Sequence, residues 1–327
     1  DGLFNIFFFL IVLLLIKYIK EDNFFDTKNM LLFVLSSVFM MMFRNNGIYA
    51  YIVAIPCIML IRTSYGRNGK LALLMLLSIT LSLGGNYILK VSLNAYDNEH
   101  QEMLTVPIQQ LARVHTYSKD VFTEEELQTL YEILPEDYLI TYRARVSDVV
   151  KSGFDNRAYE KNPEKYRKLW FDVGMRKPLI YINAWFGTSY GYWYPDALNN
   201  VYSGNQMYTF RYDESSYFGF ETEPPGVRES KLKVLELLYE NLSLKLFQQK
   251  VPVLSMFFAP GFLFWLFAFV FTGILGSGQE KTYTLIPLIP VLLLWMTVLL
   301  GPTTLVRYVL ILWLIVPLYP ILYNNRD

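Results

Sequence analysis

A single cysteine, Cys57, stands in 327 residues, which excludes an intrachain disulfide framework and a cysteine-based metal site. The two histidines, His100 and His115, lack companion ligands at metal-binding spacing, so no metal site or cofactor is expected, and nothing in the sequence specifies a divalent cation. Net charge is zero, from 29 basic and 29 acidic residues, which removes the electrostatic reason to expect a nucleic-acid partner. The chain also has no phosphate-binding glycine loop, no dinucleotide fingerprint and no Gly-x-Ser-x-Gly elbow.

What the chain has in abundance is apolar and aromatic side chains, 53% and 17% of its residues. Charge is nearly absent from 3–16, 71–83, 253–275, 285–300 and 305–323. In lipid, backbone amides find no water, so such segments must be helices. The expected fold is mainly α, a polytopic α-helical membrane bundle of about seven transmembrane segments. Four lie in 1–92, at about 3–19, 29–43, 48–61 and 70–91, and three in 249–327, at about 251–275, 283–300 and 305–323. An extracytoplasmic α or α+β domain, 93–248, separates the two groups. The second and third segments fall short of the roughly 20 residues of a comfortable span and read as a shallow hairpin. Asp1 and Gly2 lead straight into the first span without a methionine, which predicts that this is the C-terminal portion of a longer chain.

Loop charge orients the bundle. Lys17, Lys20 and Lys28, then Arg62, Arg67 and Lys70, then Lys281 and finally Arg326 fall in alternate connections, which are expected in the cytoplasm. The other short connections hold only Arg44 and Arg307, so they and the large insert are expected outside. Gly84-Gly85-Asn86 and Pro287, Pro290, Pro317 and Pro320 suggest kinks, although glycine and proline are also common in ordinary membrane helices.

Within the insert, Thr123 followed by Glu126 predicts a capped helix start, and Asn162-Pro163-Glu164 predicts a second. The alternation over 138–150 is too weak to place a sheet, whereas 228–248 has the period of an amphipathic helix. Between 180 and 196 Trp185, Trp193 and Tyr194 are among seven aromatic residues. Aromatic faces of this kind stack on sugars, or anchor a domain at the headgroup level or in its own core.

A few polar groups carry chemical meaning. Arg44, Asn45 and Asn46 form the tip of the second and third segments, where they read either as a cradle for a lipid phosphate or as a hairpin turn built on Asn46-Gly47 with the arginine reaching to headgroups. Arg307, followed by Tyr308, lies about one turn inside the last span, a depth at which charge is functional by default and snorkelling is the competitor. Arg113, with Gln110, is the third candidate for the same outer cavity. Among Asp97, Glu99, His100 and Glu102, Glu102 is the candidate general base, set against the plainer reading of a solvated loop charge.

The run 43–49 (Phe-Arg-Asn-Asn-Gly-Ile-Tyr), 107–113 (Pro-Ile-Gln-Gln-Leu-Ala-Arg), 191–195 (Gly-Tyr-Trp-Tyr-Pro) and 301–308 (Gly-Pro-x-x-Leu-x-Arg-Tyr) resembles an uncharacterised multi-pass family of Gram-positive bacteria, itself similar to the GT-C membrane glycosyltransferases. The resemblance implies a multi-pass protein of the bacterial cytoplasmic membrane, acting in cell-wall or surface-polymer glycosylation. It further implies membrane lipids, a polyprenyl-phosphate sugar donor and a glycan acceptor as partners, with Arg44 and Arg307 on the phosphate. GT-C enzymes usually place their base in the first outer loop, and no residue here matches it. Two other readings stay open: a non-enzymatic transporter or flippase of lipid-linked substrates, and a membrane scaffold with an outer binding domain.

Overall fold

The computed structural model describes residues 1–61, 66–94, 100–197, 231–243, 247–301 and 303–323. Among the described residues every regular element is helical, and strand-like pairing is confined to the isolated bridges Arg143–Val146 and Val146–Thr303. The expectation of a mainly α fold is met. Outside the described residues fall Arg62, Asp97, Glu99, Pro302, Arg326 and the tyrosine-rich run 202–220.

Four helices open the chain: α1 (Gly2–Lys20), α2 (Thr27–Phe43), α3 (Asn46–Leu60) and α4 (Arg67–Leu93). In the insert follow α5 (Thr105–Tyr117), α6 (Glu124–Ile133), α7 (Pro163–Arg176) and α8 (Pro178–Ser189). After a helix at Lys233–Ser243 and a turn of helix at Phe247–Lys250, α9 (Pro260–Leu275) and α10 (Ile289–Val298) complete the bundle. The amphipathic helix expected over 228–248 is thus present in part, with 228–230 and 244–246 outside the described residues.

α1 packs on α2, α2 on α4, and α3 on both α4 and α10. Their core joins Phe4, Phe8 and Leu15 to Phe33, Met40, Tyr51, Met75, Phe267 and Leu294. The opposite faces are just as apolar but exposed, with Leu31, Leu35 and Phe39 on α2 and Leu73, Leu77, Leu81 and Ile88 on α4. Helices apolar all round suit a lipid surround, where no aqueous face is needed.

α1 and α4 are long and apolar enough to cross a membrane, while α2, α3, α9 and α10 are apolar helices of 10–17 residues. Proline accounts for the breaks in 251–275 and 305–323, since it removes a helix donor and clashes with the preceding turn. The stretch 251–275 divides before Pro260, leaving a turn of helix at Leu254–Phe257 behind Val253, a β-branched residue at φ 68°. The stretch 305–323, expected as one span, is broken into Ile311–Leu314 and Tyr319–Tyr323 around a 3-10 turn containing Pro317. Gly84 and Gly85 produce no such break, and α4 runs through both.

The α2–α3 connection differs from the Asn-Gly turn expected there. Neither Asn46 nor Gly47 has positive φ, and α3 already begins at Asn46. Gly47 packs against methionine instead, where a Cβ would lie 2.8 Å from Met40 Cε and push that flexible side chain aside.

The insert has its own core, built from Ile108 and Leu111, Leu130 and Ile133, Leu169 and Val173, and Tyr181. α6 starts with the expected capping box, Glu126 N donating to Thr123 Oγ1 at 3.2 Å and Thr123 N to Glu126 Oε2 at 2.9 Å. Asn162 Oδ1 caps α7 by accepting from Lys165 N at 3.2 Å, with Pro163 in the first turn. The stretch 138–150 folds into short helical turns and the bridge at Arg143 and Val146.

Candidate functional site

Asp1 precedes α1, Arg44 ends α2, and Arg307 sits in the 3-10 turn Val306–Tyr308. Folding brings all three to one end of the bundle. Arg44 Nη1 lies 3.4 Å from Asp1 Oδ1, and Arg307 Nε lies 3.0 Å from Asp1 Oδ2. One carboxylate therefore gives each of its oxygens to a different guanidinium. Asn5 secures the arrangement, donating to the carbonyls of Asp1 at 2.8 Å and Arg307 at 3.1 Å and accepting from Ile311 N at 3.1 Å. Tyr308 lies between the cations, its ring centroid 4.1 Å from Arg44 Cζ and 5.3 Å from Arg307 Cζ, so the π face serves both.

The Arg44 side chain is only 18% exposed, against 59% for Arg307. Its buried Nη1 makes no hydrogen bond, so the 3.4 Å approach to Asp1 is charge attraction without hydrogen-bond alignment. Burial pulls the Arg44 pKa below its ordinary value, and the Arg307 charge adds to that pull while Tyr308 and Tyr192 oppose it. A guanidinium stays protonated under such pressure, so the tension favours an anion at this point.

Buried Tyr192 braces the segment that carries Arg307. Its hydroxyl donates to Thr303 O at 3.1 Å and accepts from Leu305 N at 3.1 Å, and burial raises its pKa, keeping the phenol neutral. Nearby, Thr303 Oγ1 donates to Arg145 O at 2.8 Å and Thr304 Oγ1 to Thr188 O at 3.1 Å. The turn before the last helices is therefore stitched to the insert.

The aromatic stretch does the same work. Trp185 Nε1 donates to Leu299 O at 2.9 Å, Trp193 Nε1 to Ser189 Oγ at 3.3 Å, and Trp265 of α9 to Trp193 O at 2.7 Å. Trp185, expected to meet lipid or sugar, thus spends its indole N–H docking the insert on the bundle, while Trp193, expected to do the same, spends its own within the insert and reaches the bundle through its backbone carbonyl. Tyr194 stays exposed, stacked on Tyr190 at 4.9 Å, with Arg145 4.7 Å above the Tyr190 ring.

The remaining candidates are placed elsewhere. Asn46 Nδ2 donates to Thr297 Oγ1 of α10 at 2.8 Å, while the Asn45 side chain is exposed and caps nothing. Arg113 donates to Tyr142 OH at 2.9 Å and lies over the Tyr117 ring, sharing no contact with Arg44 or Arg307. Gln110 accepts from Trp170 Nε1 at 2.8 Å inside the insert. Glu102, the candidate base, accepts instead from buried Lys151 at 3.0 Å, a lysine that also pairs with Asp148. Asp1, Asn5 and Tyr192 are the functional neighbours that sequence reasoning missed.

At the other end of α1, Arg67 donates to the carbonyls of Tyr18 and Glu21, each at 2.6 Å, closing the helix terminus. With 19 residues at about 1.5 Å each, α1 separates Arg67 from the Arg44 and Arg307 pair by roughly 28 Å. Among the described residues no three His, Cys, Asp or Glu side chains group as metal ligands would.

The fold and site define a helical protein with two membrane-length apolar helices and a pair of arginines sharing one carboxylate at one end. Residues 2–326 match a family of unknown function (DUF6020), and the chain belongs to that family. No curated protein and no solved structure matches it.

Proposed function

We propose that the chain is a GT-C-like membrane glycosyltransferase of the bacterial cytoplasmic membrane, taking sugar from a polyprenyl-phosphate carrier on the outer face for cell-wall or surface-polymer glycosylation. The observation that carries the reading is the convergence of Arg44 and Arg307 on one carboxylate. Two guanidiniums at the end of an apolar bundle suit a phosphate whose hydrocarbon tail lies along exposed apolar helix faces. In this reading about seven segments span the membrane, re-entrant where proline shortens them, and the insert is an outer lid. The docking of Trp185 on Leu299 and Thr303 on Arg145 supports a lid over a tether, because it ties insert and turn together. Tyr194 supplies an exposed ring for the acceptor glycan.

The arginines would stabilise the negative charge that grows on the leaving phosphate as the glycosidic bond breaks. The test is sugar transfer by the full-length protein in nanodiscs, supplied with radiolabelled lipid-linked sugars extracted from bacterial membranes. Arg44→Ala and Arg307→Ala should each lower transfer by roughly a hundredfold while the protein stays folded. Undiminished transfer by either folded variant would contradict the proposal.

A further inference from the structure

We infer that Asp1 sets the charge of the phosphate site and thereby selects a singly charged phosphodiester headgroup over a doubly charged one; this rests on the reading of Arg44 and Arg307 as phosphate contacts. The three side chains, two guanidiniums and one carboxylate, sum to one net positive charge. A phosphate diester neutralises that charge, whereas a phosphomonoester dianion overshoots it and lies beside the Asp1 carboxylate. Donors remain for the ligand even with Asp1 in place. Arg307, 59% exposed, uses only Nε on Asp1, whereas Arg44 Nη1 is buried against Asp1 and contributes charge without an open donor. The ligand therefore joins Asp1 at the pair and does not have to replace it.

Asp1 acts here through the arginines, as a positioning residue that also repels excess charge. Its side chain is 24% exposed, so the repulsion is only partly screened. Its backbone is held independently of the carboxylate, by Asn5 Nδ2 on Asp1 O at 2.8 Å. Removing the charge while keeping the shape should therefore leave the site assembled and alter its preference.

The probes are farnesyl phosphate, a dianion at pH 8 because its second ionisation lies near pH 6, and methyl farnesyl phosphate, a monoanion with the same tail. Affinities of the full-length protein for both are measured in nanodiscs at fixed salt. Asp1→Asn should shift the affinity ratio toward the dianion by about tenfold, and Asp1→Glu should keep the wild-type ratio. Asp1→Ser is the second neutral variant should Asp1→Asn not fold. An unchanged ratio in a folded neutral variant, with Arg44→Ala and Arg307→Ala still weakening both probes, overturns the role of Asp1 alone. Arginine variants that bind both probes as the wild type does overturn the phosphate reading and this inference with it.

Discussion

Arg44 ends an apolar helix with less than a fifth of its side chain in solvent, 18% by exposure, and a cation so placed is costly unless an anion accompanies it. That cost is why Arg44 and Arg307 were visible in the sequence as isolated charges beside long apolar runs. Their partner was not visible, because Asp1 meets Arg307 only after folding brings together residues 306 positions apart, the same separation as Asn5 and Ile311. Arg113 and Glu102 show the converse. Each looked available in the sequence, and each is taken by a residue far along the chain, Tyr142 and Lys151 respectively. Glu102→Gln should therefore change sugar transfer by less than about threefold, well below the loss expected for a general base; a hundredfold loss would restore Glu102 as the base. Tyr192→Phe removes a buried hydroxyl bonded to Thr303 and Leu305, and should lower stability by about 1–3 kcal/mol in thermal unfolding.

His115 gives a prediction in pH. Its pKa is lowered, by burial first and then by the Lys119 charge, with Glu136 opposing. The folded state therefore resists protonation that the unfolded chain accepts. Stability is retained above the unfolded value, about 6.5, and declines as pH falls from there toward the depressed folded value. His115→Gln should flatten that decline, as followed by tyrosine and tryptophan fluorescence during unfolding at pH 5 and pH 7.5.

Among elements, those whose ends carry local chemistry were readable in advance. Thr123 and Glu126 satisfy each other's amides within four residues, and Asn162 caps its own helix, so neither needed distant structure. The last stretch, 305–323, was harder because hydropathy sees apolar residues but not the missing proline donors that break it at Pro317. Glycines separate the same way. A Cβ on Gly261 would lie 2.2 Å from Tyr194 O, backbone that cannot swing aside, while nothing lies within 4 Å of one on Gly84. Gly261→Ala should lower the unfolding midpoint by the equivalent of about 1–3 kcal/mol and loosen the insert on α9. Gly84→Ala should fall within about 0.5 kcal/mol of the parent.

For the whole molecule, the described residues form two hydrophobic cores, with Tyr192 of the insert packed in the core of the bundle. We propose from loop charge that Arg44 and Lys28 lie on opposite sides of a membrane, and α1 has Arg44 near one end and Arg67 near the other. In a Cys57→Ala background, a cysteine at Asn45 should react with an impermeant maleimide from outside intact cells, and one at Lys28 only after permeabilisation. The opposite pattern would place the arginine pair in the cytoplasm.

The central claim is that Arg44 and Arg307 form one anion site, and a double-mutant cycle on farnesyl phosphate binding tests it most directly. Arg44→Ala, Arg307→Ala and the double variant, each checked for folding, should show coupling of about 0.5–3 kcal/mol, with the second substitution costing less than it does alone. Independent, additive losses, or binding that neither arginine affects, would contradict a shared site.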